Sequence, residues 1–485
     1  MKNYLFAFLL LLRIPVVGQQ IIYKPFEVDT AAEPRGGMAY FNTYLLANLR
    51  KPISAEAQGV GGRVIVSAVA EPDGRLTEPK VTQSFRPDCD REALRVLTMF
   101  NAWKPAKKEG KAVRQIVTFP ITFKPNRPFA FVNGARVSYY GEDMKLLPDS
   151  NELARYKQVT PLDTNGLPIG PIIVYQQKNR GWKEYNRSEL VRRKDGQRSP
   201  SGQPTTLIGY LNNDKLWDGP AYNVDPAGKL VRTAFYENGR LAGTELTYHS
   251  NGMVARRKEF ADKKQLITSW YLNGQIKQIG VLGSTEPTGV STPETVTAFW
   301  DSTGNSLVKD GNGRVVQSEL TQSYADTNRL TQHIEQGSFE NGLKQGIWTG
   351  RYADGSYFYE EQYDKGICKN GKAIKTGGDT LRYTVRDQVP EFKGGMTALG
   401  NFLAQNLRYP DQAVRAKVQG RVFVTFVIDT DGGIQDVAII KGIGFGCDEE
   451  AKRVVSRMDG KWTPGVQRGQ PVRVKYNLPI NFTFN

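Results

Sequence analysis

"RGGMAYFNTYLLANLRKP" (residues 35–52) and "KGGMTALGNFLAQNLRYP" (residues 393–410) are nearly the same eighteen residues written twice, 358 positions apart. The shared register runs on beyond them. Gly62-Arg63-Val64 meets Gly420-Arg421-Val422, Asp73-Gly74 meets Asp431-Gly432, and Cys89-Asp90 meets Cys447-Asp448. After a one-residue slip, Trp103 and Pro105 meet Trp462 and Pro464, and "FPITF" (119–123) meets "LPINF" (478–482). A register kept over about ninety residues marks a duplicated domain.

Either copy gives the layout. Leu399, Phe402, Leu403, Asn406 and Leu407 fall at helical spacing, which predicts an amphipathic first helix over 398–407. Tyr409-Pro410 ends it, because proline disfavours helix in the residue before it. "GRVFVTFVID" (420–429) is rich in β-formers, and "DTDGGI" supplies an Asp-Gly turn into "IQDVAIIK". Asp448 near the start of a second helix suits a cap, and "PVRVKYNLPINF" alternates as a final strand. The order helix, strand, strand, helix, strand predicts a small antiparallel sheet covered on one face by two helices. Pro120 and Pro479 fall inside the final strand of each copy. Proline cannot donate to a ladder, so that strand is expected at an edge. Such an edge either accepts another extended segment or is blunted by the proline against aggregation.

"NLRYP" (406–410), "QGRVFVTFVIDTDGGI", "GCDEEAKRVV", "WTP" and "LPINF" resemble the C-terminal domain of TonB-type energy transducers, in the version common in Bacteroidetes-like bacteria. The resemblance covers about 389–485 and rests on Tyr409, Pro410, Gly420, Asp431, Gly432, Trp462 and Pro464. The first copy, about 31–125, is more divergent, with Lys51 in place of the tyrosine and Arg75 where the second copy has Gly433. The resemblance implies that the domain grips an extended peptide of an outer-membrane transporter by adding it as a strand to its terminal edge. That edge would comprise Val472, Val474, Tyr476, Leu478, Pro479, Ile480 and Phe482, with Val113, Val117, Phe119, Pro120, Ile121 and Phe123 as the second candidate. A transducer also needs a retained membrane helix and a long proline-rich spacer, and neither is legible here, so binding without force transduction is the expectation.

The start of the chain explains the missing helix. Lys2, the short apolar run from Tyr4 to Leu12, and small residues near Gly18 read as a signal peptide over 1–18. Nine apolar residues are too few to cross a bilayer, which takes about twenty. The expected location is therefore the periplasm. Losing Lys2 and Arg13 with the leader takes the formal charge from +16 to +14. That excess either favours an anionic envelope surface or is a solvated basic exterior. Nucleic acid is not an expected partner, since no recognition motif is present.

Between the copies, "FYENG" (235–239), "YHSNG" (248–252), "WYLNG" (270–274), "FWDSTG" (299–304), "FENG" (339–342), "YADG" (352–355) and "YDKG" (363–366) place an aromatic shortly before a glycine. Such segments predict a run of hairpins that must stack on neighbours to bury a core. "FENGLKQGIWTGRYADGSYFYEEQYDKG" and "YENGRLAGTELTYHSNG" resemble MORN-type repeats. Some such proteins touch lipid head groups, but a β-spacer between binding domains is preferred.

Catalytic signals are sparse. "GIGFG" (442–446) meets "SFRPD" in the first copy and sits in an antiparallel unit, so it reads as a structural loop rather than a phosphate cradle. Cys89 and Cys447 share one position and read as packing residues rather than activated thiols. His249 reads as a surface residue in a turn. Three cysteines and two histidines without close spacing argue against a disulfide framework and a metal site. No enzyme activity and no cofactor are expected. The predicted fold class is α+β: two two-layer domains at 19–127 and 381–485 flanking an all-β hairpin region at 128–380. The expected function is periplasmic peptide binding, linked to TonB-dependent transport, by a chain free to form a homo-oligomer. Two alternatives stand beside it: an envelope scaffold whose end domains pair with each other, and a true transducer with a retained anchor.

Overall fold

Both ends of the chain build the predicted layout from the same backbone devices. The computed structural model describes residues 21–148, 152–261, 264–283, 293–326 and 328–484, so the expected signal peptide lies outside the described residues. Two compact units are present: one holds the N-terminal residues to Phe129 with 273–275, the other everything else.

In the first unit, β1 (Ile22–Tyr23) precedes α1 (Gly37–Asn48), β2 (Gly62–Ala70), β3 (Leu76–Gln83), α2 (Pro87–Thr98) and the long final strand β4 (Lys111–Phe123). The sheet order is β1-β4-β2-β3. β2 is antiparallel to both neighbours, whereas β1 joins β4 in parallel. Phe41 and Tyr44 of α1 bury against Phe100 and Trp103, with the Phe41 and Phe100 ring centroids 4.9 Å apart. In the second unit the same design recurs as α3 (Gly395–Asn406), β5 (Gly420–Ile428), β6 (Ile434–Lys441), α4 (Cys447–Ser456) and β7 (Val474–Phe482), in the order β6-β5-β7. Leu399, Phe426, Val454, Trp462 and Phe482 form the centre of its core.

The Asp-Gly turn shows why the repeat is so strictly kept. Gly432 has φ +86°, and a Cβ there would come 2.2 Å from the Trp462 carbonyl oxygen. Gly74 repeats this with φ +86° and 2.5 Å to the Trp103 carbonyl. The turn is thus pressed against the tryptophan backbone, which requires glycine for both conformation and space. Asp448 does not cap α4, whose N-cap is Gly446. Its carboxylate accepts from the Ile443 and Gly444 N–H groups instead, at 2.9 and 3.3 Å, and so pins the "GIGFG" loop.

The middle overturns the α+β fold class. The chain is about 52% strand and 13% helix, and a single sheet of sixteen strands dominates it. That sheet runs from Val191–Arg198 to Thr380–Tyr383, every strand antiparallel to the next in chain order, and a separate six-stranded sheet precedes it. All seven aromatic-glycine segments lie at turns between consecutive strands. The hairpins join edge to edge instead of remaining separate stacked units, and among the described residues helix is confined to the two copies. Aromatics from one strand cover glycines of the next. Tyr359 stands opposite Gly350, where an added Cβ would fall 2.0 Å from its ring, and Tyr383 stands opposite Gly371, at 2.5 Å. Packing of this kind fixes cross-strand register.

Candidate peptide-binding edges

β7 pairs with β5 along its whole length, from Ile428↔Val474 to Gly420↔Phe482. Among the described residues no strand pairs with its other side. Burial alternates strictly along it. Val474, Tyr476, Leu478, Ile480 and Phe482 face the helices, and the last three are buried. These candidate residues therefore build the domain's core rather than a contact surface. What the strand offers a partner is backbone, framed by the outward side chains of Lys475, Asn477, Pro479 and Asn481. Val472 is not part of β7. It ends the strand Gln470–Val472, which hairpins with Gly465–Gln467.

Pro479 sits opposite Phe423. In an antiparallel pair, alternate residues point their N–H toward the partner or away from it. A proline disturbs the ladder least where its nitrogen faces away. Pro479 thus removes one donor from the outer edge of β7 and leaves the stretch before it, Val474 to Leu478, fully furnished.

The N-terminal copy differs at this edge. β4 pairs with β2 from Ala70↔Gln115 to Gly62↔Phe123, and Pro120 sits opposite Ile65. Val117, Ile121 and Phe123 are buried, and Phe119 packs 4.9 Å from Trp103. Val113 pairs instead with Ala106, in the hairpin that opens the strand. Yet the outer edge of β4 begins already occupied, because Ile22 and Tyr23 pair with Arg114 and Gln115. Sequence reading missed this strand. The buried Gln115 was its available marker: it stands where the second copy has Val474, and its Oε1 accepts the Ala32 N–H at 2.7 Å.

The motif residues divide the copies further. The Tyr409 hydroxyl donates to the Val418 carbonyl at 2.6 Å, and its ring stacks on Phe484 at 4.7 Å. Lys51 in the first copy reaches instead to the Lys124 carbonyl, at 2.9 Å. Pro410 precedes a short helix, Asp411–Arg415. Asp431 accepts the Gly433 N–H at 2.8 Å, and Gly420 opens β5. Trp462 is buried, and Pro464 follows it into the next short strand.

The second copy is also anchored to the large sheet by residues that sequence reading missed. Arg468, at the tip of the 465–472 hairpin, donates to Glu361 at 2.8 Å and lies 3.6 Å from the centre of the Tyr359 ring. Tyr363 and Tyr383 donate to the same carboxylate, each at 2.9 Å. Burial opposes the charge on Glu361, but Arg468, Arg386 and the Tyr383 hydroxyl hold its pKa below the usual range. The first copy has Glu109 at the aligned position and cannot repeat this contact.

Beside the anchor lies a cavity of about 530 Å³ lined by His333, Glu335, Lys344 and Tyr359 among others. Burial disfavours ionisation of Glu335, yet Lys344 at 2.8 Å and hydrogen bonds from Gln317 and Tyr359 bring its pKa down to about 2. These polar groups satisfy one another. Cys89 and Cys447 are both buried, and burial pushes the Cys89 thiol up to about 11, the opposite of an activated nucleophile. His249 is not a free surface residue. It is half-buried, its Nε2 2.8 Å from the Trp270 carbonyl, and burial lowers its pKa.

No curated protein matches the chain. The likeness of the middle region to MORN-type repeats rests on sequence alone. Residues 48–125 and 405–484, by contrast, both match the family model of the Gram-negative bacterial TonB protein C-terminal, and the chain carries two copies of that domain.

Proposed function

We propose that this chain is an exported, periplasmic binding protein whose C-terminal TonB-type domain takes up extended peptide segments of outer-membrane transporters by strand addition to β7. One observation carries the reading. β7 is fully paired on one side, unpaired on the other among the described residues, and belongs to a domain of a family that engages such transporters. Strand addition would satisfy the outward backbone groups before Pro479, while the outward side chains select the partner. The large sheet acts as the platform on which Arg468 fixes this domain. The chain works as an adaptor in envelope transport and not as an enzyme.

The test is to titrate the full chain with N-terminal peptides of outer-membrane transporters. Binding is expected, and Asn477→Pro should abolish it by deleting an outward donor without touching the buried face. Absence of binding at millimolar peptide, or binding that Asn477→Pro leaves unchanged, would sink the mechanism.

A further inference from the structure

Resting on that reading of the edge strands, the structure assigns a different role to the N-terminal copy: its strand-addition site is filled by the chain's own segment around Ile22 and Tyr23. We propose that this segment is a tethered competitor, so that the first copy accepts an outside strand only when the segment is displaced.

The placement is specific. Ile22 and Tyr23 pair with Arg114 and Gln115, the start of the same edge that in the second copy is unpaired among the described residues. By the argument made for Pro479, Pro120 removes an outward donor further along β4, so the segment lies on the half of the edge that keeps its donors. Two fastenings hold it there. The Lys108 ammonium lies 4.5 Å from the centre of the Tyr23 ring, and Thr30 and Lys107 exchange backbone hydrogen bonds at 3.1 and 2.8 Å. The buried Gln115 adds the bond to the Ala32 N–H already described.

The fastening is strong near Thr30 and weak at the pairing residues. Only Ile22 and Tyr23 pair with β4, and the flanking Ile21 and Phe26 stay 68% and 81% exposed, so the segment can leave. The second copy cannot cap itself in this way. Under the 358-residue shift the counterparts of Ile22 and Tyr23 are Thr380 and Leu381. Those residues pair with Ile374 and Ala373 as the last strand of the large sheet. The equivalent of Asp29 and Thr30 is retained, since Asp387 and Gln388 pair with Gln467 and Val466. Duplication has therefore kept the hinge in both copies and the cap in only one.

A tethered segment competes at an effective concentration on the order of millimolar, which a free peptide must overcome. The probe is a fluorescein-labelled peptide of residues 20–27, QIIYKPFE, titrated into the full chain, into Tyr23→Pro, and into a chain lacking 21–27. Both variants should bind it at least tenfold more tightly than the intact chain. Amide hydrogen exchange between Arg114 and Ile116 should be at least tenfold faster in both. Exchange that neither variant alters would overturn the proposal. So would a peptide that binds the intact chain as tightly as the variants, or that binds none of them. All three chains carry Asn477→Pro, which closes the β7 edge to the probe, so a failure of transporter binding there is read separately.

Discussion

At the scale of residues, the duplication is held in place by a few contacts that tolerate no substitute. Gly432→Ala would force a Cβ against the Trp462 carbonyl at a left-handed φ. Such strain costs about 1–3 kcal/mol before the steric clash is added. Urea denaturation should show a loss at the upper end of that range, and Gly74→Ala should behave alike in the first copy. Glu335 makes a prediction in pH. Its folded pKa of about 2 lies below the ordinary 4.5, so its contribution is complete above pH 4.5 and is lost as pH falls toward 2. That contribution is on the order of 3 kcal/mol. Glu335→Gln should lower stability at neutral pH and flatten the acid limb, which thermal melts at pH 7, 4 and 3 would reveal.

Elements explain what could and could not be read from the sequence. The helices and strands of each copy were legible because their apolar spacing is period-specific and was written twice. The hairpin turns were legible because Asn-Gly and Asp-Gly segments encode them locally. The joining of those hairpins into one sixteen-stranded sheet was not, since strand-to-strand register is decided by non-local packing such as Tyr359 over Gly350. Those in-strand glycines look like breakers in a one-dimensional reading, yet each is the seat for a ring. The final strand lies at the sheet edge in the second copy and inside β1 in the first, and the residues chosen were its alternating apolar set, which is the half that faces inward. The 465–472 hairpin is a second case: nothing local marks Arg468 as the partner of Glu361. Removing one partner of a buried ion pair typically costs about 3–5 kcal/mol. Because Arg386, Tyr363 and Tyr383 also surround Glu361, Arg468→Ala should cost less than that, about 2 kcal/mol. Hydrogen exchange should place the loosening at the hairpin and leave β5 protected.

At the scale of the whole molecule, the two copies keep one architecture and differ at their edge strands. The second is bound to the large sheet by Arg468, and among the described residues the outer side of its β7 is unpaired. The first keeps Lys51 in place of the tyrosine and covers the start of β4 with its own chain. Binding to an outside strand should therefore be carried by the C-terminal copy in the intact protein. The most direct measurement is hydrogen exchange on the full chain with and without a saturating N-terminal peptide from an outer-membrane transporter. The account predicts new protection confined to the β7 amides before Pro479, absent in Asn477→Pro, with β4 unchanged. Protection of β4 with none on β7, or no protection of either, would contradict it.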